Sequence, residues 1–168
     1  MLQALDRNAE RWALLILYIM LVATMTIEVI RREVFAYSSI WGEEVVRYSF
    51  IYLCWIGAAA AVRERAHIRI DLILNYLPPR GRTLVYIFGD VVTLALALVM
   101  LWLAIETVEV SWKFGSVSHG LRVSMVWFLL AVPIGFGLMI FRLLQSLYRD
   151  LRDLRANRPV YEGERLFE

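Results

Sequence analysis

Four apolar segments, each long enough to cross a lipid bilayer, are the feature that most limits what this chain can fold into. A bilayer core of about 30 Å needs about 20 mostly apolar helical residues. Lipid offers the backbone no hydrogen-bond partners, so single spans of this length must be helical. The segments are residues 11–30, 43–62, 83–108 and 124–147, with approximate ends. The sequence therefore predicts an all-α integral membrane protein with four transmembrane helices.

Composition agrees with this interpretation. The 168 residues are 60% hydrophobic, far more than the charged surface of a soluble domain could cover. The first apolar run, from Trp12, is longer than the apolar region of a typical signal peptide, and no small-residue cleavage signal follows it. We interpret it as a retained first span.

Basic residues indicate how the spans are oriented. Most arginines fall in the N-terminal flank, in the loop between spans two and three, or in the C-terminal tail of residues 148–168. The opposite side has only Arg31, Arg32, Lys113 and Arg122. The positive-inside rule then places both termini and the middle loop in the cytoplasm.

The middle loop predicts a short amphipathic helix over residues 65–77, lying in the cytoplasmic interface. Apolar residues follow helical spacing until Pro78 stops the pattern. The alternation in "HIRIDL" also fits a strand, but an open strand at membrane depth would leave backbone groups unpaired. The residues that define this interfacial helix are His67, Ile70, Asp71, Ile73 and Leu74.

Charged residues open span two. An ionised side chain at the centre of a membrane helix costs about 2.5–3.5 kcal/mol, and the cost falls toward the interface. Glu43 and Glu44 occupy the first turn, where the helix dipole favours carboxylates. Arg47 follows Glu43 by four residues and Glu44 by three, so an ion pair along the helix is expected. Such a pair is either an anchor at the lipid boundary or a contact between subunits.

Two further acids are candidate buried polar residues. Glu28 precedes Arg31 by one turn, which favours a salt bridge at the membrane rim over a proton-coupled carboxylate. Asp90 lies about two turns into span three and needs a partner, for which Thr93 or an arginine of the middle loop is suitable.

Small residues and proline indicate packing features. Gly57 and Ala61 form a small-xxx-small pair, which lets another helix approach closely. Pro133 predicts a kink in span four.

The residue inventory excludes several enzyme classes. Cys54 is the only cysteine, and both histidines lie in loops, so neither a cysteine-based zinc site nor a haem site inside the helices fits. Metalloprotease, serine hydrolase and P-loop motifs are absent. We therefore predict no catalytic, cofactor or metal site in this chain. The alternating charges of the tail favour contact with membrane lipid and disfavour nucleic acid.

Taken in order, "VIRREVFAYSSIWGEEVVRYSFIYLCWIGAAAAVRERAHIRIDLILNYLPP" resembles the small membrane subunit, of the DctQ or SiaQ type, of tripartite ATP-independent periplasmic (TRAP) transporters. The pattern is an Arg and a Phe closing span one, a Trp with paired Glu opening span two, then Gly-Ala-Ala, a basic turn and a Leu-Pro stop. The segment "GLRVSMVWFLLAVPIGFGLMIFRLL" is similar to the family's last span. Ser124 departs from the proline expected there.

The resemblance implies a scaffold subunit in the bacterial inner membrane. Its partners would be a large multi-span permease subunit, which binds sodium, and a periplasmic solute-binding protein, together serving sodium-driven uptake of an organic acid. The residues expected at the subunit interface are Trp41, Glu44, Arg47, Gly57 and Ala61. Two alternatives are a stand-alone four-helix proton-coupled transporter and an assembly factor for another membrane complex.

Overall fold

The computed structural model describes residues 2–37, 39–63 and 79–155, and these residues form five helices. In chain order they are α1 (Leu2–Phe35), α2 (Ile40–Arg63), α3 (Pro79–Lys113), α4 (Val126–Leu129) and α5 (Ala131–Arg155). The one β-bridge found among these residues joins Val117 and Ser124 in the loop between α3 and α4.

Four helical stretches are long and apolar enough to cross a membrane, which confirms the predicted all-α membrane protein. They are Arg11–Phe35, Ile40–Val62, Gly81–Lys113 and Val126–Arg155, the last combining α4 and α5.

The helices extend beyond the apolar segments that predict them. α1 has 34 residues and α3 has 35, so each is about 50 Å long at 1.5 Å per residue. Hydropathy marks only the part of a helix that lies in hydrocarbon. The polar flanks stay helical because the helix satisfies its own backbone groups in either medium.

The chain divides into two compact units. The first contains Met1–Gly57 and Leu103–Gly135, and the second contains Ala58–Trp102 and Phe136–Glu168. A small apolar core lies in the second unit. Its members are buried Val62, Ala97 and Leu143, with Leu94, Phe136, Met139 and Ile140 packed against them.

In the first unit α2 packs closely on the start of α5. A Cβ on Gly135 would lie only 2.6 Å from the Cβ of Trp55. Only glycine at this position therefore lets the two helices approach to this distance.

The fourth span passes from α4 to α5 at Leu130, which keeps helical backbone angles (φ −62°, ψ −22°), and the kink at Pro133 stays a prediction. Proline has no N–H to donate to the carbonyl of Leu129, so the helical ladder cannot run through unbroken. Beside this interruption the hydroxyl of Tyr52, from α2, donates to the carbonyl of Trp127 at 2.6 Å. Such side-chain donors make interrupted helices tolerable in lipid.

Part of the predictions falls outside the described residues. This applies to the interfacial helix, with His67, Ile70, Asp71, Ile73 and Leu74, and to the tail after Arg155. Residues 148–155, assigned to the tail from the sequence, continue α5 as helix. The cytoplasmic placement of the termini stays a prediction.

Candidate functional site

Glu44 of α2 holds the loop between α3 and α4. Its Oε1 accepts a hydrogen bond from the backbone N–H of Gly120 at 2.8 Å. Its Oε2 accepts one from the N–H of Leu121 at 2.9 Å and another from the hydroxyl of Ser118. Ser118 is 4% exposed, so its hydroxyl has little access to water. Hydrogen bonds to a carboxylate are stronger than neutral ones, and three on one group fix the loop against α2.

The loop itself is folded into a narrow turn. The N–H of Ser118 donates to the carbonyl of Val123 at 2.8 Å, and the N–H of Met125 donates to that of Ser116 at 2.9 Å. At its tip Arg122 has φ +52°, a left-handed conformation that few non-glycine residues adopt. The Glu44 carboxylate and these backbone bonds together hold the turn in this conformation.

Gly120 is the closest contact between the loop and α2. A Cβ at this position would lie 2.9 Å from the carbonyl oxygen of Ile40 and 3.1 Å from Cδ of Glu44. The absent side chain is what lets the loop backbone reach the carboxylate.

A second carboxylate, Glu28 of α1, holds the turn between α1 and α2. It accepts hydrogen bonds from the N–H of Ser39 at 2.7 Å and from its hydroxyl at 2.6 Å. The expected rim salt bridge with Arg31 is longer, at 4.0 Å. Gly42 provides the space, because a Cβ there would lie 2.6 Å from Oε2 of Glu28.

Of the two glutamates that helical spacing offers to Arg47, Glu43 forms the ion pair. Arg47 contacts Glu43 at 3.0 Å, and both side chains are more than half exposed. Glu44 points toward the loop and does not pair with Arg47. Adjacent residues on a helix lie about 100° apart, so the two glutamates necessarily face different neighbours.

The other candidate interface residues differ in their surroundings. Trp41 is 45% exposed, and the guanidinium of Arg31 lies 5.6 Å from its ring centroid. Gly57 faces Leu14 of α1, since a Cβ there would lie 3.9 Å from that side chain. Ala61 is half-buried. Their role in contacting another subunit stays a prediction.

Asp90 is not bonded to the Thr93 hydroxyl that the sequence suggested. The hydroxyl of Thr93 donates to the carbonyl of Gly89 at 2.8 Å, so it is engaged within its own helix. Oδ2 of Asp90 is buried and has no hydrogen-bond partner among the described residues. The middle-loop arginines of the segment 64–78, also suggested by the sequence, lie outside the described residues.

The described residues contain no group of three or more histidine, cysteine, aspartate or glutamate side chains that could hold a metal ion. Cys54 is exposed and unpaired. The two glutamates instead act on backbone groups of their own chain. Sequence reasoning missed Ser118, Gly120 and Leu121, which follow Glu44 by 74–77 residues, so no local pattern links them.

Comparison with known proteins points to one family. The model of the family described as "Tripartite ATP-independent periplasmic transporters, DctQ component" matches residues 8–153. The match covers both glutamates, the loop that Glu44 holds and nearly all of α5.

Individual relatives are similar over most of this chain. The isethionate TRAP transporter permease protein DctMQ of Oleidesulfovibrio alaskensis is 29% identical, over 88% of this chain and 24% of its own length. The sialic acid TRAP transporter small permease protein SiaQ of Vibrio cholerae is 25% identical, over 90% of this chain and 87% of its own. The sialic acid TRAP transporter permease protein SiaT of Haemophilus influenzae is 26% identical, over 82% and 22%. This chain thus spans most of one small permease protein and about a quarter or less of two longer ones.

Proposed function

Because the chain belongs to the DctQ component family of TRAP transporters, we propose that it is a scaffold for a large permease subunit in sodium-driven uptake of an organic acid. As a small permease component it is an inner-membrane transport protein and not an enzyme.

The lengths of the relatives support a neighbouring large subunit. This chain aligns with 24% of one longer permease protein and 22% of another. We take the remaining part of those proteins as the counterpart of a separate large subunit that works beside this chain. Sodium would be bound there, and a periplasmic solute-binding protein would deliver the substrate.

The scaffold role is supported by the hydrogen bonds that Glu28 and Glu44 accept from their own chain. A stand-alone proton-coupled transporter needs a membrane carboxylate that is free to bind and release its cargo ion. Both glutamates are instead engaged with the backbone of their own chain, at Ser39 and at the α3–α4 loop. A scaffold needs such fixed turns, whereas a transport site needs groups that exchange partners.

The relatives support a substrate class. Those proteins are described as isethionate and sialic acid transporters. Both compounds are organic acids, so we propose an organic acid for this system too.

Transport by reconstituted proteoliposomes tests the proposal. The chain alone is expected to give neither sodium-driven uptake of labelled organic acids nor proton flux. Uptake should require the large permease subunit and the binding protein, and the small subunit should copurify with the former. Ion-driven uptake by this chain without partners would contradict the scaffold role.

Asp90 provides the control for the alternative function. Its Oδ2 is buried and has no hydrogen-bond partner among the described residues, which makes it a candidate for the carboxylate of a stand-alone proton-coupled transporter. If the chain alone shows proton-coupled flux and Asp90→Asn abolishes it, the alternative is correct.

A further inference from the structure

The last turns of α5 separate their charges by side. The sequence from Asp150 to Arg155 alternates aspartate and arginine. Asp150 is fully buried and Asp153 is half-buried, whereas Arg152 and Arg155 are exposed. Folding thus converts a segment of nearly balanced charge into a surface whose exposed charges are positive.

An exposed apolar stripe leads to these arginines. Its members are Phe141, Leu144, Tyr148 and Leu151, which are 50%, 49%, 73% and 42% exposed. Residues at this spacing share one face of a helix. Arg152 and Arg155 follow Tyr148 by four and seven residues, so they continue the same face.

These two arginines differ from three other exposed cations of the chain. Arg32, Arg47 and Lys113 each lie within 4.0 Å of a glutamate, at 3.4, 3.0 and 3.9 Å. Within the part of the chain that the structure describes, neither Arg152 nor Arg155 has a carboxylate within 4.0 Å. No carboxylate of the described residues therefore neutralises their charges.

We propose that the face formed by Tyr148, Leu151, Arg152 and Arg155 binds the phosphate of an anionic phospholipid in the leaflet that it meets. A span of about 20 residues from Val126 ends near residue 145, so Tyr148 and Arg152 follow within two turns, at headgroup level. Tyrosine favours that boundary because its ring is apolar and its hydroxyl is polar.

The chemistry of the face matches a bilayer in particular. The guanidinium fork matches phosphate oxygens in a bidentate geometry. Moving along the helix, the stripe passes from apolar residues to unpaired arginines, as a bilayer passes from acyl chains to phosphates. This inference depends on the membrane insertion of α5 and does not require the scaffold role.

Lipid selectivity of the full-length protein tests the proposal. The association of spin-labelled phosphatidylglycerol relative to phosphatidylcholine is measured with the protein in nanodiscs. The parent protein is expected to prefer phosphatidylglycerol. The double variant Arg152→Gln, Arg155→Gln should reduce this preference by roughly fivefold for each arginine removed, since each basic side chain near an anionic surface contributes about that factor.

Two variants serve as controls. Arg152→Lys with Arg155→Lys keeps both charges and should retain most of the preference. Arg32→Gln removes an exposed but paired cation at the end of α1 and should leave the preference unchanged.

Three results would overturn the proposal. One is an unchanged phosphatidylglycerol preference in the double glutamine variant. Another is loss of the preference on adding inorganic phosphate at constant ionic strength, which would indicate a soluble anion. The third is a double glutamine variant that keeps its lipid selectivity but no longer copurifies with the large permease subunit. That result would assign the face to a protein contact.

Discussion

The α3–α4 loop with its neighbouring helix ends and the last turns of α5 are both rich in charge, yet they neutralise it differently. Around the loop, carboxylates bind groups of the same chain: Glu44 binds loop backbone, and Glu109 lies 3.9 Å from Lys113. At the end of α5 the acids are turned inward, while Arg152 and Arg155 are exposed and have no carboxylate within 4.0 Å among the described residues. The carboxylates of the first region are bound by residues of the same chain. The arginines of the second region are left to interact with what surrounds the helix.

The contrast shows that composition alone does not decide what a charged segment does. Both regions contain acids and bases in similar proportion. What differs is whether the helix register turns an acid toward a base, toward backbone N–H groups or into the interior. Three experiments test this comparison.

The largest effect is expected at Glu44. Glu44→Ala removes the acceptor of three hydrogen bonds and leaves the N–H groups of Gly120 and Leu121 without it. We expect the unfolding midpoint of the purified protein in detergent to fall by about 5–10 °C. Glu43→Ala, which removes the adjacent but exposed glutamate, should lower it by less than about 2 °C. Equal shifts for the two variants would show that the loop does not depend on Glu44.

An intermediate effect is expected at Gly120. Gly120→Ala places a Cβ 2.9 Å from the carbonyl oxygen of Ile40, a backbone atom that cannot rotate away. The midpoint should fall by about 3–6 °C. At Gly137, inside α5, a new Cβ meets nothing within 4 Å, so Gly137→Ala should raise the midpoint by about 1–3 °C through helix propensity. A neutral Gly120→Ala variant would mean that the loop has room to move away from α2.

The smallest effect is expected at the end of α5. In a neutral detergent, Arg152→Gln with Arg155→Gln should change the midpoint by less than about 2 °C, because exposed side chains without partners contribute little to folding. A large decrease, measured by the same thermal unfolding, would mean that these arginines stabilise the chain itself. The contrast between the two regions would then disappear.

The sequence predicts the features that depend on short-range pattern. Runs of about 20 apolar residues predict the four spans. The resemblance around "IWGEE" and "HIRIDL" predicts the family, which the match over residues 8–153 confirms.

Features that depend on distant residues could not be predicted. Helical spacing allows Arg47 to pair with either Glu43 or Glu44, but the partners of Glu44 lie 74–77 residues away. The hydroxyl of Thr93 was available to Asp90 by spacing, yet it donates to the carbonyl of Gly89. The alternation "RDLRDLR" does not show which charges are exposed. That depends on the rotation of α5, which buries Asp150 and exposes Arg152 and Arg155.

The separation between Glu44 and its loop also has a consequence for how the protein is made. Glu44 is synthesised 74 residues before Ser118, and chains grow at about 5–20 residues per second. For roughly 4–15 s after it leaves the ribosome, Glu44 has none of its final partners. The charged start of α2 must therefore wait near water or within the insertion machinery, and the loop closes onto it only once α3 has been made. Lengthening the loop or slowing translation should therefore impair the closing of the loop onto Glu44 before other steps of folding.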